Sequence, residues 1–190
     1  MIGTRGGAEI GNRNREEPAV LIAEDAIRRR VGELGRRISE DYSQVEDLHM
    51  VGVFRGSFIF LADLSRVLTI PRSVDFIAVA SYEASGAPSD TVRLVMDVRA
   101  DIAGKHVLIV EDIVDTGNTL HYLMEILRPR RPASLKTCAL LRKPSRMEKN
   151  VTIDYLGFDV PDRWVVGYGL DSADRYRALP YIGVVKAPGQ

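Results

Sequence analysis

Three carboxylates and a cluster of small hydroxyl residues crowd into VLIVEDIVDTGNTL, residues 107–120. The apolar run Val107–Val110 is followed at once by Glu111 and Asp112, then by Asp115-Thr116-Gly117-Asn118-Thr119 leading into a helical pattern. Two chemistries sit side by side here. The helix start offers free N–H groups, the hydroxyls of Thr116 and Thr119, and Gly117 for close backbone approach, which together suit an anion such as phosphate. The helix dipole adds about 0.3–1 kcal/mol to that preference. Glu111 and Asp112 would repel phosphate, but carboxylates accept hydrogen bonds from vicinal hydroxyls and hold Mg²⁺ through water. One ligand satisfies both halves: a sugar phosphate, with its hydroxyls on the acids and its phosphate on the helix. Asp115 lies between them, free to face a reacting centre. The plainer alternative is that these acids are solvated loop charges at a helix start.

Other phosphate-handling patterns do not fit. Neither GxxxxGK[ST] nor GxGxxG occurs, and Asp112 and Asp115 flank two residues, where an aspartyl-phosphate hydrolase wants two aspartates flanking one.

The elements that must position these groups follow from periodicity. Ile27, Val31, Leu34 and Ile38 mark one face of a helix over about 25–42, with the arginines mostly opposite. Met50–Phe54 is a short apolar run that stops at Arg55-Gly56-Ser57, and Phe58–Leu68 reads as helix closed by Pro71. Val74–Ala80 and Val92–Met96 read as strands around a polar segment, Tyr82–Asp90. Val107–Val110 has the continuous β-branched and Leu content of a strand buried on both faces, ending at Val110. Leu120, Leu123, Met124 and Leu127 mark a helix stopped before Pro129, and further strands are expected at 135–141, 153–158, 164–168 and 181–185. Alternating strands and helices predict an α/β fold with a mostly parallel sheet flanked by helices. In such sheets ligands bind beyond the carboxyl ends of strands, and the 107–120 segment falls there.

Composition narrows the classes. Lys plus Arg and Asp plus Glu number 26 each, so net charge gives no reason to expect nucleic acid or a membrane as partner. The 190 residues suit one domain, taken as 18–190, behind a Gly-, Arg- and Asn-rich tail at 1–17 that is expected to be flexible. That tail lacks the apolar stretch of a secretory signal. The single cysteine, Cys138, suits a reducing cytosol and reads as a small buried hydrophobe. His49, His106 and His121 show no metal-ligand spacing and are read as surface or packing residues.

The 107–120 segment resembles the phosphoribosyl-pyrophosphate signature of type I phosphoribosyltransferases. GVFRGSFIFLADLSR (52–66), VASYE (79–83), LLRKP (140–144) and DYLGFDVPDRWVVGYGLDSADRYRALPYIG (154–183) extend the resemblance to the hypoxanthine-guanine phosphoribosyltransferases across roughly residues 20–186. It implies the fold of that family, with a small base-binding hood built from the chain ends. It also implies a cytoplasmic purine-salvage transferase that uses Mg²⁺, commonly as a homodimer or homotetramer, with 6-oxopurine and phosphoribosyl pyrophosphate as its small-molecule substrates.

Position by position, the resemblance assigns the ribose hydroxyls to Glu111 and Asp112. It assigns the 5′-phosphate to Asp115, Thr116, Gly117, Asn118 and Thr119, and proton management at purine N7 to Asp115. Pyrophosphate would meet Arg55, Gly56 and Arg177; Arg55 stands where the family usually has Lys, which keeps the charge but replaces a point charge by a planar fork. The purine would meet Lys143 at its 6-oxo group, stack on Trp164 and face the backbone of Val165. Mg²⁺ would be held by Glu111, Asp112 and Asp171. Ser81 and Tyr82 would open a lid that shields the reacting sugar from water. Two other readings compete. One is another enzyme on the same scaffold, a xanthine-preferring or broader 6-oxopurine transferase. A ligand-sensing regulator on the same fold would be expected to add a nucleic-acid-binding module, for which this length leaves no room.

Overall fold

The computed structural model describes residues 17–84 and 87–186, with side chains described outside 81–91. Its centre is a six-stranded sheet. In chain order the strands are β2 (Leu48–Phe54), β3 (Arg72–Ala84), β4 (Ala87–Met96), β5 (His106–Val114), β6 (Ser134–Arg142) and β7 (Tyr155–Asp159), arranged β4-β3-β2-β5-β6-β7. All neighbours are parallel except β3 and β4, which form an antiparallel pair at one edge. The helices are α1 (Glu24–Asp41), α2 (Phe58–Val67) and α3 (Asn118–Leu127). A second, antiparallel sheet joins β1 (Ala19–Ile22), β9 (Ile182–Val185) and β8 (Trp164–Val166), so both ends of the described chain meet in one small layer.

Strand β5 shows why the sheet is covered on both sides. Side chains alternate across a strand, and both sets are apolar here. Leu108 and Val110 enter a core with Ile27, Val31, Leu34 and Ile38 of α1 and Phe60, Leu61 and Leu64 of α2. Val107 and Ile109 enter the opposite core with Leu120, Leu123 and Leu127 of α3. Each fully buried Leu or Ile of this kind contributes about 1.5–3 kcal/mol, and the central strand contributes to two cores at once. Cys138 is buried in the first of them, and burial pushes its thiol well above the usual range.

Three expectations need correction. The strand expected to stop at Val110 continues to Val114, because Glu111, Ile113 and Val114 keep pairing with Ala139, Leu141 and Arg142 of β6. Backbone pairing does not depend on side-chain polarity, so two acids with somewhere to point need not break a strand. The polar stretch expected to interrupt 82–90 is largely strand as well, with Glu83 opposite Pro88 and Ala84 opposite Ala87. The strand expected over 164–168 ends at Val166, where Gly167 and Tyr168 take positive φ values of 97° and 50° and the chain leaves the extended region.

Candidate functional site

Beyond the carboxyl ends of β2, β3 and β5 lies a cavity of about 560 Å³, lined among others by Arg55, Gly56, Glu111, Asp112, Thr119, Asp171 and Arg177. Seven of the residues singled out from the sequence therefore face one space, although they come from three separated stretches of chain. Glu111 and Asp112 arrive on β5. Thr119 opens α3, whose N-cap is Gly117 at φ 85°. At Gly117 an added Cβ would come within 3.3 Å of both the Lys149 carbonyl oxygen and Val151, so the turn is built for glycine in both conformation and space. Thr116 Oγ1 accepts a hydrogen bond from the Asn118 N–H at 3.4 Å, while the Thr116 carbonyl accepts from Glu148 and Lys149 at 2.9 and 3.1 Å.

The acidic wall is electrostatically unfinished. Glu111 is buried, and its Oε2 finds no hydrogen-bond partner among the described residues. Burial, and then the charge of Asp112, push its carboxyl well above the ordinary range. Asp112 is half-buried and pushed up to about 6, chiefly by burial, against the opposing pull of the Asp112 and Ile113 N–H groups and of Arg177; Asp171 raises it further. A buried acceptor without a donor is costly, so this wall calls for donors or a cation. Vicinal hydroxyls or a hydrated Mg²⁺ both fit that demand. Among the described residues, however, no three His, Cys, Asp or Glu side chains come together as a metal cluster. Glu111, Asp112 and Asp171 thus share a cavity without closing a coordination shell of their own.

The cationic wall is built by two loops in contact. The Phe54–Arg55 peptide is cis. A Cβ on Gly56 would fall 1.7 Å from Asp112 Oδ2, and one on Gly169 would fall 2.0 Å from the Gly56 carbonyl oxygen. Both glycines are therefore required for the loops and the acid to pack this closely. Arg177 donates to the Gly169 carbonyl at 2.7 Å and pairs with Asp171 at 2.7 Å and Asp174 at 3.3 Å. Arg55 pairs with Asp174 at 2.9 Å. Asp174 thus sits between two arginines, a position that sequence inspection did not single out.

Beside the cavity lies a second polar cluster. Lys143 is buried, and its Nζ donates to Asp115 Oδ2 at 3.0 Å. Arg146 donates through Nε to Asp115 Oδ1 at 3.0 Å, and Asp162 stands within 3.6 Å of Lys143. Arg146 and Asp162 were also missed. The short 3-10 turn Pro144–Arg146 brings Arg146 to the same side as Lys143, and the Lys-Pro-Ser-Arg spacing was its only sequence signal. Trp164 and Val165 lie on β8 and do not line the cavity. Trp164 is 44% exposed, while Val165 is buried. The side chains of Ser81 and Tyr82 lie outside those described.

The Phosphoribosyl transferase domain family matches residues 21–173. A hypoxanthine phosphoribosyltransferase of Escherichia coli is 50% identical over 167 residues, covering 87% of this chain and 94% of that one. A hypoxanthine-guanine phosphoribosyltransferase of Dictyostelium discoideum is 46% identical over 170 residues, covering 88% and 94%. Among solved structures, a hypoxanthine-guanine phosphoribosyltransferase from Bacillus anthracis superposes with a TM-score of 0.84 at 40% identity, covering 90% of this chain and 99% of that one. A Trypanosoma cruzi hypoxanthine phosphoribosyltransferase in a ternary substrates complex gives 0.82 at 44%, covering 88% and 95%. A domain match over most of its length, and identities of 46–50% spanning 94% of each of the first two relatives, show that this chain belongs to the hypoxanthine-guanine phosphoribosyltransferase family.

Proposed function

We propose that this chain transfers ribose 5-phosphate from phosphoribosyl pyrophosphate to hypoxanthine or guanine, giving the purine mononucleotide and pyrophosphate. The observation that carries the reading is the cavity in which a buried Glu111, its Oε2 unpartnered among the described residues, and its neighbour Asp112 face Arg55 and Arg177, with the start of α3 at its rim. A sugar diol supplies the donors that the acids lack. The 5′-phosphate goes to the Thr116–Thr119 turn and the pyrophosphate to Arg55, Gly56 and Arg177.

Glu111, Asp112 and Asp171 are the residues that would hold Mg²⁺, directly or through water. Bound there, it would offset charge on the leaving pyrophosphate. The remaining work falls to the chain. Arg55 and Arg177 stabilise the departing anion. C1′ passes through an oxocarbenium-like state as in glycoside chemistry, and purine N9 attacks from the face opposite the leaving group. Lys143 donates to the 6-oxo group, which favours an oxo acceptor over the amino group of adenine. Trp164 stacks on the ring, its exposed surface being available for that contact, and the Val165 backbone faces the 2-position. Asp115 accepts or shares the N7 proton as charge builds on the base.

We assign the working assembly as a homodimer or homotetramer in the cytoplasm; Phe58 and Val67, apolar and exposed on α2, supply surface for such contacts. No helix among the described residues is long and apolar enough to cross a membrane.

The experiment is an absorbance assay of nucleotide formation from phosphoribosyl pyrophosphate and Mg²⁺ with hypoxanthine, guanine, xanthine and adenine in turn. Turnover with hypoxanthine or guanine and none with adenine is expected. Absence of nucleotide from every 6-oxopurine would reject the assignment.

A further inference from the structure

The cluster around Asp115 holds more than the exchange reaction assigned above requires. Lys143 Nζ occupies Oδ2 and Arg146 Nε occupies Oδ1, both at 3.0 Å, so each oxygen of this carboxylate has its own cation. Asp162 Oδ1 stands 3.6 Å from Lys143 Nζ and 4.0 Å from Arg146 Nε. Two cations thus face two carboxylates.

The two cations are not equivalent. Lys143 is buried on a flexible stem, and a primary ammonium can turn to a new acceptor without losing its donors. Arg146 is half-exposed, and its backbone N–H donates to the Lys143 carbonyl at 3.1 Å. Its planar guanidinium is a fixed donor set that stays charged at every working pH. When Lys143 turns toward a 6-oxo group it leaves Oδ2, and Asp115 would lose its one buried cation among the described residues in the same step. Arg146 remains on Oδ1. That contact keeps the carboxylate oriented through one oxygen and leaves Oδ2 vacated.

We propose that Arg146 is a positioning residue for the transfer reaction: it acts through Asp115, holding Oδ1 so that Oδ2 is delivered to purine N7 when Lys143 moves to the base. The inference rests on the roles of Asp115 and Lys143 proposed above, so its test separates the two.

Steady-state kinetics with hypoxanthine and phosphoribosyl pyrophosphate are compared for the wild type, Arg146→Gln, Arg146→Lys, Asp115→Asn and the Asp115→Asn/Arg146→Gln double variant. Arg146→Gln should lower kcat roughly ten- to hundredfold, less than the full contribution of a general acid–base group. The KM for phosphoribosyl pyrophosphate should stay within about twofold, since orientation and not anion binding is lost. Arg146→Lys should recover part of kcat. In the Asp115→Asn background the Arg146→Gln change should add less than about threefold, because the two act as a unit. Circular dichroism and thermal midpoints should match the wild type, because a half-exposed pair contributes little to stability. Wild-type kcat in Arg146→Gln alongside an impaired Asp115→Asn would overturn the positioning role and leave the Asp115 assignment standing. So would a raised KM for phosphoribosyl pyrophosphate at unchanged kcat. Near-normal turnover in Asp115→Asn would overturn both.

Discussion

Gly56 and Asp112 are bound to one another by space. The Gly56 position has no room for a Cβ because Asp112 Oδ2 would lie 1.7 Å away, and the carboxylate is where the cavity's acidic wall meets its cationic one. Substituting Gly56→Ala would therefore leave the strands intact and turn the Asp112 carboxylate out of place. Loss of a hydrogen bond to a charged group costs about 1.5–3 kcal/mol, so the KM for phosphoribosyl pyrophosphate should rise roughly ten- to hundredfold. The thermal midpoint should be nearly unchanged. An unaltered KM in this variant would show that Asp112 does not meet the ribose from its present position. Glu111, by contrast, owes its behaviour to burial: its unpartnered Oε2 reads as a site prepared for a donor that the ligand brings.

At the scale of the element, β2 runs from a stabilising end to a functional one. Its carboxyl end, at Phe54, feeds the Arg55 loop, while at its amino end His49 is buried in a polar network. His49 Nδ1 lies 2.9 Å from Ser73 Oγ, which itself donates to Asp47 Oδ2 at 2.6 Å; the network therefore suits a neutral ring donating from Nδ1. Nε2 has no partner among the described residues and stands 3.8 Å from Asp75 Oδ2. Burial, and then Lys105, lower the His49 affinity for a proton, against the smaller opposing pulls of Asp75 and Asp47. The unfolded chain takes up this proton below about pH 6.5 while the native state resists it, so stability should fall as pH falls through that value. The Asp75 carboxyl is raised by burial but held low overall by the Ala100, Phe76 and Arg99 N–H groups, so its stabilisation is lost only further down, below the ordinary carboxylate range. Denaturant titrations between pH 7.5 and 5 should show a smaller decline for His49→Gln than for the wild type, with activity at pH 7.5 unchanged. Parallel declines in the two proteins would contradict the buried-neutral reading.

For the whole molecule, much of the fold was legible because a buried parallel sheet writes itself as short apolar runs separated by amphipathic helices. Val107–Val110 and the 3.6-residue spacing of α1 are local signals of global position. What escaped was non-local. The sequence predicts that strand β5 ends at Val110 because acids ordinarily mark a loop; nothing in it could show that Ala139 and Leu141 of β6 would keep the backbone paired beyond that point. The four-residue β1 was not anticipated, since its identity as a strand depends on β9, at the other end of the chain. The acids and the TGNT turn are compact motifs legible on their own, whereas the Arg55 loop gains its role only through the family resemblance. Arg146, Asp162 and Asp174 escaped, because each gains its meaning only by facing a charge from a different segment. The proposed function likewise depends on juxtaposition: a sugar's two hydroxyls and its phosphate would dock next to each other where β5 passes into α3. A crystal structure of the chain with a bound purine mononucleotide tests it most directly. Ribose hydroxyls are expected within about 3.2 Å of the Glu111 and Asp112 carboxylates and the 5′-phosphate on the N–H groups of Thr116–Thr119. A nucleotide seated elsewhere, with both carboxylates untouched, would contradict it.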